Sequence, residues 1–195
     1  MILQLTKKHN FDLVFDSQKV FRLVLEAMSN PTRIVNIKRH ADKLYGEYSV
    51  LLALAMTLLD NEVSFNTCEN QSLTDEIVSL TLAKREKIEA ADIVFVREPN
   101  DIKNVIEIVK YGTLSDPHKS ATVIIRNDGE SVYRLIFSGP GVNAKATIQA
   151  TQTIKKAIEL RDAQNYEYPQ GIDLIFVSSN GDLLAIPRLT QMEVY

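Results

Sequence analysis

The C-terminal stretch Tyr168–Tyr195, YPQGIDLIFVSSNGDLLAIPRLTQMEVY, constrains the fold more than any other part of the chain. It holds two apolar runs, Ile172–Val177 and Leu183–Ile186, separated by Ser178-Ser179-Asn180-Gly181-Asp182. Asn-Gly between β-rich runs is the strongest short hairpin signal, because both residues tolerate positive φ. Pro187 has no N–H to give a ladder, so the second strand ends there or lies at an edge. Arg188 follows at the mouth of the predicted sheet, with Thr190 two residues on.

Further strands are predicted upstream. Ala91–Arg97 has a continuous apolar centre, as in a sheet covered on both faces. Thr32–Ile37, Val63–Thr67, Thr122–Arg126, Val132–Ser138 and Ala144–Ala150 also read as strands. Asn127-Asp128-Gly129 reads as a hairpin turn that pairs Thr122–Arg126 with Val132–Ser138. Helices are predicted from Asp16 or Ser17 to about Met28 and, behind a Ser49 cap, over Val50–Leu59. Three more run from Ser72 to about Lys84, from an Asp101 cap to about Val109, and from a Thr151 or Thr153 cap to about Ala163. In the first helix Val20, Phe21, Val24, Leu25 and Met28 fall at helical spacing and are expected to form one buried face; in the last, Ile154, Ala157, Ile158 and Arg161 are in register. Lys38–Glu47 is polar and expected as loop. Helices alternate with strands early and hairpins crowd the second half. That pattern predicts an α/β protein, a three-layer α/β/α domain with a mixed sheet, parallel in part. Without repeats, low-complexity tracts or a linker, residues 1–195 read as a single domain.

Charge and composition exclude some function classes. With 45% hydrophobic and 24% charged residues the chain is of globular type. A net charge of −3 gives no global field for nucleic acid. The charge is uneven: Met1–Lys43 carries eight basic and four acidic residues, whereas Leu44–Lys110 carries six basic and twelve acidic. The basic excess would suit an anionic ligand or acidic partner, or simply a solvated surface. One cysteine, Cys68, rules out an internal disulfide and fits a reducing cytoplasm; with no Cys or His nearby it reads as a spectator thiol. Lys7-Lys8 precede no apolar h-region, so no signal peptide is expected. The longest apolar run, Val50–Leu59, is too short for a membrane span. The expectation is a soluble cytoplasmic protein with no membrane or nucleic-acid partner.

Few residues carry a chemical signature. Gly139-Pro140-Gly141-Val142-Asn143-Ala144 formally matches a dinucleotide fingerprint, but that motif must open a helix, and Lys145–Gln149 prefers strand. A tight turn needing positive φ at Gly139 and Gly141 fits better. His9, His40 and His118 are scattered without ligand spacing, so no metal site is expected and surface histidines are the default. His118, on a loop before a strand, is the one acid–base candidate among them. Arg188, just past a strand end, is placed to bind phosphate or carboxylate bidentately. Asp173, a charge inside an apolar strand, needs a partner if buried. Two readings stay open: an Asp173–Arg188 pair that holds the C-terminal strands, or a ligand site.

The identities of Pro169, Gly171-Ile172-Asp173-Leu174-Ile175, Leu183-Leu184-Ala185-Ile186-Pro187-Arg188, Thr190 and Glu193-Val194 go further than the strand pattern. Together they resemble the PhnH family, a subunit of the bacterial carbon–phosphorus lyase core complex. Glu26-Ala27-Met28-Ser29-Asn30-Pro31 and Gly139-x-Gly141 resemble the same family, although glycine commonly follows that proline and Thr32 stands there in this chain. The resemblance implies a fold like the large domain of pyridoxal-phosphate-dependent transferases without the cofactor site, a homodimer, no cofactor, and partner subunits G, I and J. In that system the G, H, I and L subunits displace adenine from a nucleoside triphosphate with an alkylphosphonate, giving a ribose 1-alkylphosphonate 5-triphosphate. A separate iron–sulfur subunit then breaks the C–P bond. The isolated chain is expected to be inactive. The ligand-binding candidates are Arg188, Asp173, Thr190, Gly139 and Gly141, and no catalytic residue is identified. The alternatives are a non-catalytic scaffold subunit and a stand-alone small-molecule-binding α/β enzyme.

Overall fold

Strands whose every residue is apolar need cover on both faces, and in this chain helices supply it. A computed structural model describes residues 9–193, so Lys7-Lys8 and the motif residue Val194 lie outside the described residues. The helices are α1 (Phe15–Ser29), α2 (Lys38–Ala41), α3 (Ser49–Leu58), α4 (Gln71–Thr81), α5 (Asp101–Ile108) and α6 (Gln152–Asp162). The strands are β1 (Val35–Asn36), β2 (Ser64–Asn66), β3 (Lys84–Arg85), β4 (Ile93–Val96), β5 (Thr122–Arg126), β6 (Tyr133–Ser138), β7 (Ala146–Ala150), β8 (Asp173–Val177), β9 (Asp182–Ile186) and β10 (Gln191–Glu193).

Seven strands form one mixed sheet in the order β1-β9-β8-β5-β4-β2-β3. The ladders β8–β5, β5–β4, β4–β2 and β2–β3 are parallel, and β9 runs antiparallel to both neighbours. Successive strand residues point to opposite faces, and two cores follow. Phe65, Phe95, Ile124, Ile175 and Val177 face α1, α3 and α4. Val94, Val96, Val123, Ile125, Leu174 and Phe176 face α5 and α6. The predicted burial of the Ala91–Arg97 centre is what the structure has, and the closing hairpin is buried as well. Among the described residues no helix is long and apolar enough to cross a membrane.

One expected pairing is overturned. β5 and β6 form no hairpin: both edges of β5 are taken by β4 and β8, and β6 joins a separate three-stranded sheet, β10-β6-β7. The turn between them has a different task. The Asp128 carboxylate accepts from the Ser179 amide and hydroxyl, both at 2.6 Å, which ties the end of β5 to the β8–β9 turn. Thr32–Ile37 shrinks to the two-residue strand β1, and part of Lys38–Glu47 is helical rather than loop.

Helix α1 also starts differently. Asp12 accepts from the Val14 and Phe15 amides, each at 2.8 Å, and supplies the cap expected of Asp16 or Ser17. Asp16 instead turns inward and is 2% exposed. It takes His40 Nδ1 at 2.8 Å and Lys43 Nζ at 2.7 Å, so one carboxylate fastens α1 to the α2 segment. His40 is therefore a buried structural group and not the surface histidine expected. Burial alone would raise the Asp16 pKa. The hydrogen bonds from Lys43, the Asp12 amide and His40, with the Lys43 charge, outweigh it and hold the carboxyl well below the ordinary aspartate range. A depressed folded-state pKa stabilises above the unfolded value and loses that contribution as the pH falls toward the folded one. Asp16→Asn is expected to cost about 2 kcal/mol near neutral pH, the scale of hydrogen bonds to a charged group. Its urea midpoint should converge on that of the native chain as the pH drops below 3.8. A gap that stays constant down to strong acid would show that Asp16 does not act through its charge.

Candidate functional site

The hairpin of β8 and β9 brings the two charged candidates together. Leu174 pairs with Ile186, so the residue that opens β8 faces the chain just past the end of β9. Asp173, 7% exposed, accepts the Arg188 amide at 2.8 Å, Arg188 Nε at 3.3 Å and Arg188 Nη2 at 2.6 Å. Arg188 Nη1 donates to the carbonyl of Pro117, on the 3-10 turn Pro117–Lys119 that carries His118. Among the described residues three of the five guanidinium N–H groups are thus engaged, which leaves two.

A second guanidinium, to which the sequence reading assigned no role, organises the same place. Thr151 caps α6 by accepting from the Ile154 amide at 3.2 Å. Ile154, Ala157 and Ile158 bury one face, and Arg161 continues that face at 2% exposure. It donates to the carbonyls of Pro187 at 3.1 Å and Thr190 at 2.7 Å, and to Asp162 at 2.9 Å. The Thr190 amide donates in turn to the Pro187 carbonyl at 2.9 Å, so Pro187–Thr190 is a turn pinned from both sides. The signal was present in sequence: a cation in an inward register must find buried acceptors.

Against this turn packs the loop between β6 and β7. Gly139 has φ +117° and Gly141 φ +80°, and both approach other backbone closely. A Cβ on Gly139 would stand 2.8 Å from the Leu189 carbonyl; one on Gly141 would stand 2.6 Å from Pro31 Cδ and 2.8 Å from the Ser29 carbonyl. The element that follows is strand β7, so the glycines meet no helix N-terminus that could hold a pyrophosphate. Three segments distant in sequence, Ser29–Pro31, Gly139–Gly141 and Pro187–Thr190, therefore converge. All five ligand-binding candidates lie here.

Two clefts flank the turn. One, of about 660 Å³, is lined by Arg188, Arg161, Tyr166, Tyr168, Gly139 and Thr190. Tyr166 tilts against Tyr111 with ring centroids 5.0 Å apart. Burial pushes its hydroxyl up to about 12, with the Arg161 charge pulling the other way. The other cleft, of about 340 Å³, is lined by Met28, Pro140, Asp173, Arg188 and Leu189. Thr190 borders both. Its Oγ1 is buried with no hydrogen-bond partner among the described residues, a state that normally calls for a bound water or ligand. The site offers guanidinium N–H groups, a hydroxyl and aromatic faces, a set suited to an oxyanion-bearing ligand.

Cys68 lies outside this constellation. Burial, then the nearby Asp101 and Glu69 charges, push its thiol up to about 12. As the chain has a single cysteine, a disulfide reagent at pH 8 should label the native protein on the order of 100-fold more slowly than the urea-unfolded chain; equal rates would refute the inert thiol. Thr32 makes a second prediction. It sits just after Pro31 at φ +80°, a conformation that favours glycine. Thr32→Gly should raise stability by about 1 kcal/mol, read from the urea midpoint; a loss of stability would show that the side chain holds the turn.

Comparison with known proteins sets this geometry in context. The family model described as "Bacterial phosphonate metabolism protein (PhnH)" matches residues 9–193. The protein HtxG of Stutzerimonas stutzeri, named as a candidate C-P lyase subunit, is 28% identical over 180 residues, which is 91% of this chain and 86% of HtxG.

Proposed function

The chain belongs to the PhnH family of bacterial phosphonate metabolism proteins, and from that premise we propose that it works as a subunit of a carbon–phosphorus lyase assembly. Its task there is to help form a ribose 1-alkylphosphonate 5-triphosphate from a nucleoside triphosphate and an alkylphosphonate. In that reaction a phosphonate oxygen bonds to the ribose C1′ and the adenine leaves. The likeness to HtxG supports the assembly. The observation that carries a part for this chain is the convergence at Arg188. Two guanidinium N–H groups remain beyond the Asp173 clasp, on a side chain that is 20% exposed and borders both clefts. They are placed to neutralise phosphonate or triphosphate oxygens, with Thr190 and the Gly139–Gly141 loop as the wall beside them. The proposal includes a cytoplasmic homodimer that acts with partner subunits G, I and J.

A scaffold role is the second reading. It is favoured by the same clasp, since most of what Arg188 can donate goes to Asp173 and Pro117. One experiment separates the two. The chain, tagged, is co-expressed with G, I and J from its own organism, and the particle is assayed for adenine release once the L subunit is supplied. The wild type should recover the three partners in fixed stoichiometry; none recovered, under conditions where the three assemble without it, overturns the lyase reading. In the assembled particle Arg188→Ala should lower turnover about tenfold or more, the scale for losing a charged contact to a phosphoryl oxygen. Arg188→Lys, which keeps the charge and loses the fork, should fall between. Unchanged turnover in an intact particle would leave the scaffold.

A further inference from the structure

Helix α1 has two apolar faces rather than the one its spacing predicts. Val20, Val24 and Ala27 are buried, but Phe21 and Leu25, expected beside them, are 49% and 53% exposed. Val14, 70% exposed, lies on the same side at the start of the helix. Val14, Phe21, Leu25 and Met28 lie along one side at spacings of seven, four and three. The row is continuous from Phe21 to Met28; the polar Ser17 and Gln18 stand between Phe21 and Val14, and Met28 at the far end is half-buried against the core. Phe15 and Leu13 add exposed apolar surface at its head. A helix of 15 residues carries such a stripe for about 22 Å. Exposed apolar residues scattered singly are normal, whereas a contiguous row with aromatic members marks an interface.

The charges beside the stripe indicate what covers it. Arg22 stands one turn before Leu25, and Lys19 one turn before Arg22; neither forms an ion pair among the described residues. Glu26, the acidic residue on this side, is already held by Arg33 at 2.9 Å. A second copy laid on this face would set cations against cations, so the complementary occupant carries carboxylates. The stripe also leads somewhere. Met28, at its end, lines the 340 Å³ cleft with Pro140, Asp173 and Arg188. An occupant that follows the stripe as far as Met28 reaches the edge of the cleft that holds Arg188.

We propose that the Val14–Met28 stripe is the docking face for another subunit of the lyase assembly, one that presents an apolar ridge flanked by carboxylates and that roofs the Arg188 cleft when it docks. The proposal rests on the assembly reading given above, and it makes the candidate site complete only in the complex.

The test uses the same tagged co-expression. Phe21→Glu with Leu25→Glu, and separately Lys19→Glu with Arg22→Glu, change only exposed groups, and circular dichroism and urea midpoints verify that each variant folds. Recovery of the partners should fall roughly tenfold or more for the first variant, as expected for loss of apolar anchors. It should fall for the second as well, and the wild-type interaction should weaken with salt. Full recovery by both variants overturns the docking face while leaving the assembly reading intact; no recovery by the wild type overturns both. Two other outcomes overturn the proposal by naming a different occupant. One is a wild-type self-association, seen by sedimentation, that the stripe variants abolish. The other is flotation with phosphatidylserine-containing vesicles that the same variants abolish.

Discussion

The Asp173–Arg188 clasp is the interaction on which the site depends. Asp173 opens a strand whose other four residues are fully buried. A carboxylate left there without a partner would be costly enough to bar the strand from the sheet centre. The antiparallel return of β9 puts the Arg188 amide and guanidinium within reach, and the Pro117 carbonyl takes a further N–H. One residue pair thus joins the head of β8, the exit of β9 and the turn before β5.

Arg161 works on the same segment from the other side. Its guanidinium holds the carbonyls of Pro187 and Thr190 and is buried almost completely in doing so. Between two guanidinium groups the Pro187–Thr190 turn becomes a rigid wall. Gly139 closes against that wall because it has no side chain of its own, and Gly141 does the same against Pro31 and Ser29. The end of α1 closes in the same way, through Ser29 and Pro31. A site pinned by charge pairs and backbone contacts is pre-organised, which suits either a ligand contact or a joint between subunits.

Much of this was legible along the chain. β5 was read at its observed bounds, and the closing hairpin within one residue at each strand, because Asn-Gly and short apolar runs are local signals. Asp173 needing a partner, and Arg188 as one candidate, followed from the cost of a buried charge alone. The misses have a common cause. The Asn127–Gly129 turn has hairpin chemistry, yet β5 has no edge left for β6 once β4 and β8 flank it. Phe21 and Leu25 have core spacing, yet α3 and β9 cover only the side of α1 that bears Val20 and Val24. Arg161 was placed in the correct register, but its acceptors lie on a turn about 26 residues further on.

What the sequence by itself determined is local and compositional: which runs are strands, where they turn, the α/β class, and the residue identities that place the chain in its family. These depend on steric preferences and on burial periodicity, which act over a few neighbouring residues. Only the tertiary structure decided which strand edges were free, which face of α1 stayed exposed, and that Ser29–Pro31, Gly139–Gly141 and Pro187–Thr190 meet. Those outcomes turn on competition among elements for the same surface. The winner is set by the packing of the whole sheet and is written in no single stretch.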